Sequence, residues 1–247
     1  LVDFNSFTQS TQRHIQDSIQ TAIKWADICW FEFCHELSLQ LINQNLHKIN
    51  KKVVLRWHRF EIVEQPFPEM VNWDFVDDLI LVSDEMQKLL LKRVPDVQKK
   101  TRIHLIPNGL NTSKFTPSPA LDMKKISFVA KALIRKNHSL AMQIMHALVK
   151  RDPSYEIHFA GTPEPNMLQP YLEKMARKMG IEKNVIFHGW IDDMDAFYKD
   201  KGILLSTSLH ESFGYGIAEA MAMGAYPVVH DYVGAEEFWP EEILFCS

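Results

Sequence analysis

Two carboxylates and two glycines near the end of the chain have the residue types and the spacing of a site for an anionic ligand. Gly214 and Gly216 follow a polar stretch, and Glu211 and Glu219 stand on either side of them. Glycine lets a backbone approach a ligand closely, and the free N–H groups at a helix N-terminus, at the positive end of the helix dipole, can face an anion. The pattern predicts a phosphate site in outline.

Apolar segments on both sides of this stretch predict the elements that position it. Residues 203–205 form a short apolar run that is typical of a buried parallel strand, and residues 217–223 consist of strong helix formers. The order is therefore a strand, a glycine loop and a helix. In a parallel sheet such a loop lies at the carboxyl end of its strand, where α/β proteins bind their ligands.

Two other chemistries fit parts of this pattern. A dinucleotide-binding loop also has G-x-G before a helix and an acid such as Asp231 after the next strand. However, Glu219 occupies the position of the third glycine of the dinucleotide-binding motif, and the loop formed by residues 206–213 is too long for the tight turn of that motif. Hydrolysis by paired carboxylates needs two acids across one bond, whereas Glu211 and Glu219 would lie roughly 12 Å apart on a continuous helix. The two acids are better interpreted as contacts to different parts of one long ligand.

A second acidic pair, Asp193 and Asp195, forms an Asp-x-Asp, which holds a divalent metal in some sugar-nucleotide enzymes. The pair stands at a predicted helix start, where acids stabilise the helix dipole, so capping is the favoured interpretation. No H-E-x-x-H or comparable pair occurs among the 11 histidines. We therefore predict no metal site and no cofactor.

The bulk composition limits the class of protein and its partners. The 247 residues carry a net charge of −4, which makes nucleic acid a poor partner. Three scattered cysteines form no disulfide framework and fit a reducing cytoplasm. No apolar run reaches the ~18 residues of a spanning helix. The basic runs at 92–93, 99–102 and 124–125 are interpreted as solvated faces that could also meet an anionic membrane surface.

Strand-like and helix-like patterns alternate along the chain. Predicted strands cover residues 27–33, 53–57, 79–82, 103–106, 126–130, 156–160, 185–187, 203–205, 227–230 and 243–245. Predicted helices cover residues 6–25, 37–49, 84–92 with Ser83 as N-cap, 139–150, 167–179, 193–198, 217–223 and 234–239. The alternation predicts an α/β fold with parallel sheets covered by helices. Residues 111–125 lack periodicity and form the predicted linker, which divides a first domain at 1–110 from a second at 111–247.

Six segments of the chain form a set of motifs in a fixed order. They are Ile-Pro-Asn-Gly at 106–109, the basic strand-loop at 129–137, Phe-His-Gly-Trp at 187–190, Ser-Thr-Ser-Leu-His-Glu-Ser-Phe-Gly at 206–214, Ile-Ala-Glu-Ala-Met-Ala-Met-Gly at 217–224 and Tyr-Pro-Val-Val at 226–229. Together they resemble the retaining GT-B glycosyltransferases of the "glycosyl transferases group 1" family. Glu211 and Glu219 fall on the E-x7-E signature of the family. The resemblance covers residues from about 76 to the end. It implies two Rossmann-like domains that face each other across a cleft and hold a nucleotide-sugar donor.

The resemblance also implies roles for charged residues. Lys136 matches the diphosphate-binding lysine, and Lys131 stands where the family usually has arginine. Glu211 matches the acid that contacts the donor sugar and stabilises oxocarbenium-like charge. Glu219 matches the acid that binds the nucleotide ribose. In the first half of the chain, the strand ending at His58 resembles the one whose histidine faces the donor sugar.

The remaining implied contacts are made by backbone and by a loop after a strand. Phe213, Gly214 and Tyr215 would hold the sugar and the phosphate through their N–H groups, while Gly189 and Trp190 lie where the family binds the base. The chain departs from the family in several places: Ser212 and Asn137 replace common glycines, no glycine-rich loop precedes residue 1, and the closing helices are missing after residue 247. We therefore expect a chain truncated at both ends.

The expected function is a metal-independent, retaining transfer of a hexosyl unit from a nucleotide-diphosphate sugar. The acceptor would be a saccharide, a lipid-linked molecule or a protein, in the cytoplasm, with peripheral membrane contact left open. Two alternatives remain at this point. One is a nucleotide-sugar binding module without turnover, and the other is an oxidoreductase that binds an NAD-type dinucleotide.

Overall fold

The computed structural model describes residues 9–162 and 168–247, and the chain divides into two compact units. Unit 1 comprises Leu1–Asn108 and unit 2 comprises Gly109–Ser247. Each unit contains one parallel sheet with helices packed on it, which confirms the α/β prediction. Residues 6–8 and 167, with which two predicted helices begin, lie outside the described residues.

The four strands of unit 1 lie side by side in chain order and are all parallel. They are β1 (Ile28–Glu32), β2 (Lys52–Trp57), β3 (Asp78–Leu81) and β4 (Arg102–Leu105). The helices are α1 (Gln9–Trp25), α2 (Glu36–Asn43), α3 (Phe67–Met70), α4 (Asp84–Arg93) and α5 (Val97–Lys100). The bounds of the four strands, of α1 and of α4 lie close to the predicted ones because these elements have apolar patterns of their own, whereas the short helices α3 and α5 have no counterpart among the predicted helices.

One face of the unit 1 sheet carries the core of that unit. Leu55 of β2 and Leu79 of β3 are fully buried and belong to one apolar cluster with Ile42 of α2 and Leu90 of α4. Burial of each such side chain stabilises the fold by about 1.5–3 kcal/mol. The core therefore holds the strand ends, and the loops that follow β1 and β2 start from fixed positions.

Two predictions about helix ends in unit 1 have different outcomes. The Ser83 side chain accepts a hydrogen bond from the Met86 N–H, so the predicted N-cap of α4 is confirmed. The predicted helix at 37–49 is wrong beyond Asn43. Asn45 and Asn50 have φ of 57° and 55°, in the left-handed region, which ends the α-helix and leaves a separate short 3-10 turn.

Unit 2 contains a six-stranded parallel sheet in the order β10-β9-β8-β5-β6-β7. The strands are β5 (Asp122–Val129), β6 (Glu156–Ala160), β7 (Val185–Gly189), β8 (Lys201–Ser206), β9 (Tyr226–His230) and β10 (Leu244–Phe245). The helices are α6 (His138–Arg151), α7 (Leu168–Met179), α8 (Met194–Tyr198) and α9 (Tyr215–Ala222). None of the helices in the described part of the chain has the length and apolar character that crossing a bilayer requires.

Helices cover both faces of the unit 2 sheet. On one face, Met145 of α6 and Leu172 of α7 join Ile157 in an apolar cluster. On the other face, Leu204 of β8 packs in a second cluster with Ile217 of α9. A parallel sheet buried on both faces is typical of α/β proteins, whose ligands bind at the carboxyl ends of the strands.

Two element predictions in unit 2 are wrong. β5 begins at Asp122, so the end of the predicted linker 111–125 is strand; its first residues are exposed and polar, and an exposed strand end shows no apolar run. The predicted helix at 234–239 is only a 3-10 turn, Ala235–Glu237. Pro240 follows closely and disfavours the helical conformation at the residue before it.

The strand order of unit 2 creates a crevice between β5 and β8. From β5 the chain continues to β6 and β7 on one side, then returns to β8 and continues to β9 and β10 on the other side. The loops that follow β5 and β8 therefore leave the sheet in opposite directions. This is the topological switch point at which open α/β sheets bind ligands.

Candidate active site

The loops after β5 and β8 bring Lys136 and Glu211 into contact at this switch point. Lys136 is the last residue of a 3-10 turn, and its ammonium group forms an ion pair with the Glu211 carboxylate. Both side chains are largely buried, with 15% and 12% of their surface exposed. The two residues are 75 positions apart and meet because β5 and β8 are neighbouring strands. A cation and an acid thus stand together where a ligand is expected.

Two hydroxyl groups after β8 hold these loops in place. The Thr207 hydroxyl contacts the carbonyl oxygens of Lys136 at 3.0 Å and Asn137 at 2.9 Å, and the Ser208 hydroxyl donates to Glu211 Oε1 at 2.7 Å. Asn137 has φ of 51°, a conformation that asparagine tolerates well, so it keeps the turn at a position where the resembled family has glycine. Both residues lie in the matching segment 206–214, but their role as anchors of the two loops was not predicted, because hydroxyl residues are common in loops.

The two glycines at the start of α9 serve different purposes. Gly214 is the N-cap with φ of 89°, and a Cβ there would lie 2.8 Å from Ile217 Cδ1. A Cβ on Gly216 would lie 3.3 Å from the Val129 Cβ, so this glycine allows α9 to pack closely on β5. The N–H groups of Tyr215 and Gly216 have no acceptor among the residues that the structure describes. Such N–H groups at a helix start favour an anion.

An aromatic cluster anchors the glycine loop. The Phe213 ring centroid lies 5.3 Å from that of Tyr215, 5.5 Å from that of Phe238 and 5.6 Å from that of Trp239. Aromatic pairs at such separations contribute about 0.5–1.5 kcal/mol each. Because the Phe213 side chain packs into this cluster, its backbone is the part of the residue that remains for a ligand.

The Glu219 carboxylate is half-buried and lies on α9 beside the Tyr198 side chain. The Tyr198 hydroxyl donates to the Gly216 carbonyl at 3.1 Å and lies 3.4 Å from Glu219 Oε2. Burial raises the pKa of Glu219, an effect that this hydroxyl partly offsets. Tyr198 is fully buried at the end of α8. Sequence reasoning missed Tyr198, because a tyrosine in an apolar helical pattern has the appearance of an ordinary core residue.

The remaining predicted residues of unit 2 lie at the same edge of the sheet. Gly189 ends β7 with φ of 70°, and its carbonyl accepts the Gly161 N–H at 2.8 Å. Trp190 is 63% exposed, and its Nε1 donates to Asp192 Oδ1 at 2.6 Å, which fixes the ring. Lys131 follows β5 and is exposed, with no ion-pair partner in the described ranges 9–162 and 168–247. All nine predicted residues of unit 2 therefore lie at or after the carboxyl ends of its strands.

A buried histidine that no sequence motif singles out follows Lys136. His138 begins α6 and packs against the rings of Phe128 and Phe159, with centroids 4.8 Å and 5.8 Å away. Burial, reinforced by the Lys136 charge, lowers the pKa of His138 to about 4. The imidazole is therefore neutral at pH 7, so the positive charge at this turn comes from Lys136.

The tenth predicted residue, His58, belongs to unit 1. It follows β2, its ring stacks on the Phe33 ring with centroids 4.4 Å apart, and its Nε2 lies 3.8 Å from Glu32 Oε1. Burial, followed by the charge of Arg56, lowers the pKa of His58, and Glu32 partly offsets this effect. His58 is thus held as a neutral imidazole at the carboxyl end of a parallel strand.

The Asp-x-Asp pair has a structural role. The Asp193 side chain accepts the Ala196 N–H at 3.0 Å as the N-cap of α8, and Asp195 Oδ1 accepts the Thr116 N–H at 3.1 Å. The capping interpretation is confirmed for Asp193, whereas the Asp195 carboxylate binds the backbone at Thr116 instead.

Comparison with known proteins identifies the type of site. The family model described as "Glycosyl transferases group 1" matches residues 111–242, just over half of the chain. The chain is similar to the mannosylfructose-phosphate synthase of Agrobacterium fabrum, with 27% identity over 150 residues that cover 53% of this chain and 33% of the relative. It is also similar to one component of the human phosphatidylinositol N-acetylglucosaminyltransferase, with 27% identity over 150 residues that cover 59% of this chain and 30% of the relative.

The fold has solved counterparts as well. The crystal structure of Anabaena Alr3699/HepE in complex with UDP matches with a TM-score of 0.75 and 17% identity, covering 96% of this chain and 69% of that one. Together with the parallel sheets of both units, this confirms the predicted GT-B type of α/β fold. The chain spans about a third of the length of the curated relatives that it matches.

Proposed function

The chain belongs to the glycosyl transferases group 1 family, and on that premise we propose that it transfers a hexosyl unit from a nucleotide-diphosphate sugar, with retention and without a metal ion. The observation that carries this proposal is the pairing of Lys136 with Glu211 beside the start of α9. The pair offers one group for a leaving diphosphate and one for the sugar.

The leaving group is the part of the reaction that these residues serve best. Departure of the nucleoside diphosphate builds negative charge on its phosphate oxygens. Lys136 and the N–H groups of Tyr215 and Gly216 supply positive charge and hydrogen-bond donors that are already oriented. The backbone N–H groups of Phe213 and of Gly214 would complete this cradle. These groups would stabilise the leaving diphosphate without a divalent metal.

Lys131 is proposed as a second cation for the diphosphate. Its exposed ammonium is free of ion pairs with the described residues, unlike that of Lys136. A lysine acts as a point charge, whereas an arginine at this position would form hydrogen bonds to two phosphate oxygens at once. Lys131 should therefore add to affinity more than to the orientation of the ligand.

The two acids are proposed to bind different parts of the donor, Glu211 the sugar and Glu219 the ribose. Glu211, whose carboxylate contacts Lys136 and Ser208, would accept hydrogen bonds from hydroxyl groups of the sugar and stabilise the positive charge that develops on the sugar ring. Glu219 has only the shared hydroxyl of Tyr198 as a donor among the described residues, although an ionised carboxylate can accept several hydrogen bonds. The ribose diol of a nucleotide would supply the donors that this half-buried carboxylate lacks.

Gly189, Trp190 and His58 complete the proposed residues. The backbone at Gly189 and the exposed Trp190 ring, fixed by Asp192, would bind the base. His58 of unit 1 is proposed to act on the donor sugar in the same reaction, as the family motif implies. The relatives are named for products as different as mannosylfructose phosphate and a glycosylated phosphatidylinositol. The proposed acceptor is therefore a saccharide, a lipid-linked molecule or a protein, met in the cytoplasm or at a membrane surface.

The proposal is tested by thermal shift and by donor hydrolysis with the 247-residue chain. UDP, GDP, ADP, their common sugars, NAD and NADP are screened with and without a chelator, and one nucleoside diphosphate should raise Tm in both conditions. Glu219→Ala should weaken that shift. Hydrolysis of the matching donor should disappear in Glu211→Ala and Lys136→Ala, and the anomer of the released sugar reports retention. Stabilisation by NAD instead, or wild-type hydrolysis in both variants, would contradict the proposal.

A further inference from the structure

We infer that Glu61 is a positioning residue for His58, because its carboxylate joins the loop that carries His58 to the loop after β1. This inference rests on the proposed function, which gives His58 its role. The Glu61 side chain is fully buried. Its Oε2 accepts the His58 N–H at 2.9 Å, and its Oε1 accepts the Cys34 N–H at 3.0 Å. One carboxylate thus spans two loops at the carboxyl edge of the unit 1 sheet.

The chemistry of this contact requires a carboxylate. Each of the two oxygens accepts one backbone N–H, and a carboxylate is the side-chain group of this size with two acceptor oxygens and no donor. A glutamine has one acceptor, so its amide group would turn a donor toward one of the two N–H groups. A fully buried charge is also costly unless it is compensated by hydrogen bonds. Glu61 is therefore unsuited to a role in which it only fills space.

The local backbone aims Glu61 at the two loops. It lies in a single π-helical turn, Phe60–Glu64, an unusual conformation that places Glu61 and Ile62 side by side in the interior. Arg93 at the end of α4 fixes this turn from outside, since its Nη1 donates to the Ile62 carbonyl at 2.6 Å and to the Gln65 carbonyl at 2.8 Å. The direction of the carboxylate is thus set by α4 and by the core beneath it.

The loop after β1 carries a group that touches the imidazole. Phe33 stacks on the His58 ring and has φ of 65°, a strained value for a bulky residue. Two hydrogen bonds flank this strained position: the Phe33 N–H donates to the Arg56 carbonyl at 3.2 Å, and the next N–H, that of Cys34, donates to Glu61. Loss of the second bond should let Phe33 relax, which would free the His58 ring.

The experiment compares Glu61→Gln with wild type by NMR and by donor hydrolysis. In wild type, the amide protons of Cys34 and His58 should resonate far downfield, since they donate to a buried carboxylate, and the His58 ring protons should lie upfield because of the Phe33 ring. In Glu61→Gln the displacement of at least one of these two amide protons should collapse, together with the upfield displacement of the His58 ring protons. Hydrolysis kcat should fall by roughly 10- to 100-fold, the order expected for a misplaced reacting group, while nucleotide Kd stays within twofold because the proposed nucleotide contacts lie in unit 2.

Thr101→Val is the matched control for a merely structural loss. The Thr101 hydroxyl is buried in unit 1 and lies 3.0 Å from both the Trp73 and Val76 carbonyl oxygens, away from His58. This variant should lose comparable stability but keep the His58 ring shifts and kcat. Unchanged His58 resonances in Glu61→Gln, or an equal fall in kcat in Thr101→Val, would overturn the inference. A normal rate in His58→Ala would instead refute the proposed role of His58, while the ring shifts still decide whether Glu61 positions it.

Discussion

Neutralising Glu211 should strengthen nucleoside diphosphate binding while it abolishes transfer. In the structure Lys136 forms an ion pair with Glu211, so a diphosphate must compete with the Glu211 carboxylate for the Lys136 ammonium group. Glu211→Gln keeps the shape of the side chain and removes its charge. The phosphate oxygens then meet an unpaired lysine, and a repelling negative charge is gone.

The size of the effect follows from the burial of the pair. Two unit charges about 3 Å apart attract each other by roughly 5 kcal/mol at an effective dielectric constant near 20. The free energy of desolvating the two charges offsets most of this attraction, because only 15% and 12% of the two side chains remain exposed to solvent. A net gain of about 1–2 kcal/mol is expected, which corresponds to roughly 5- to 30-fold tighter binding.

Isothermal titration calorimetry with the nucleoside diphosphate that raises Tm measures this gain. Lys136→Gln should weaken binding instead, and Ser208→Ala, which keeps both charges, should stay within about twofold of wild type. The gain in Glu211→Gln should shrink at high salt, because screening weakens interactions between partly exposed charges. If Glu211→Gln weakens binding as much as Lys136→Gln does, then the carboxylate does not restrain the lysine and the reasoning fails.

Two further predictions concern stability. Gly214→Ala should lower the free energy of unfolding by about 1–2 kcal/mol in a denaturant titration, because φ of 89° is strained for a residue with a Cβ and that Cβ would lie 2.8 Å from Ile217 Cδ1. Gly109→Ala, where a Cβ would meet open space, should leave the free energy of unfolding unchanged in the same titration. His138 has a folded pKa of about 4, below its unfolded value near 6.5, so its contribution is present above 6.5 and is lost as pH falls through 4. The free energy of unfolding should therefore fall by roughly 3 kcal/mol over this range. In urea titrations from pH 7 to 4, His138→Gln should remove this pH dependence, whereas the control His146→Gln should keep it. Parallel curves of free energy against pH for wild type and His138→Gln would refute the assignment.

Most of the local structure could be predicted from the chain itself. Strands such as β2 and β8 and helices such as α6 have apolar patterns that depend only on neighbouring residues. The prediction failed where local patterns are weak or misleading, as in the exposed start of β5 and in the helix predicted through Asn45. Left-handed asparagines and polar strand ends depend on the surroundings more than on the local pattern.

The candidate site divides in the same way. The glycine loop, the E-x7-E spacing and the lysine at 136 are properties of the sequence, and family membership follows from them. The contact between Lys136 and Glu211 depends on β5 and β8 being neighbours, and an alternating pattern of strands and helices is compatible with many strand orders. The roles of Tyr198 and Glu61 depend on burial and on partners 18 and 27 positions away along the chain. The sequence by itself determined which groups could do the chemistry, and only the tertiary structure decided which of them meet, because packing and strand order bring distant residues together.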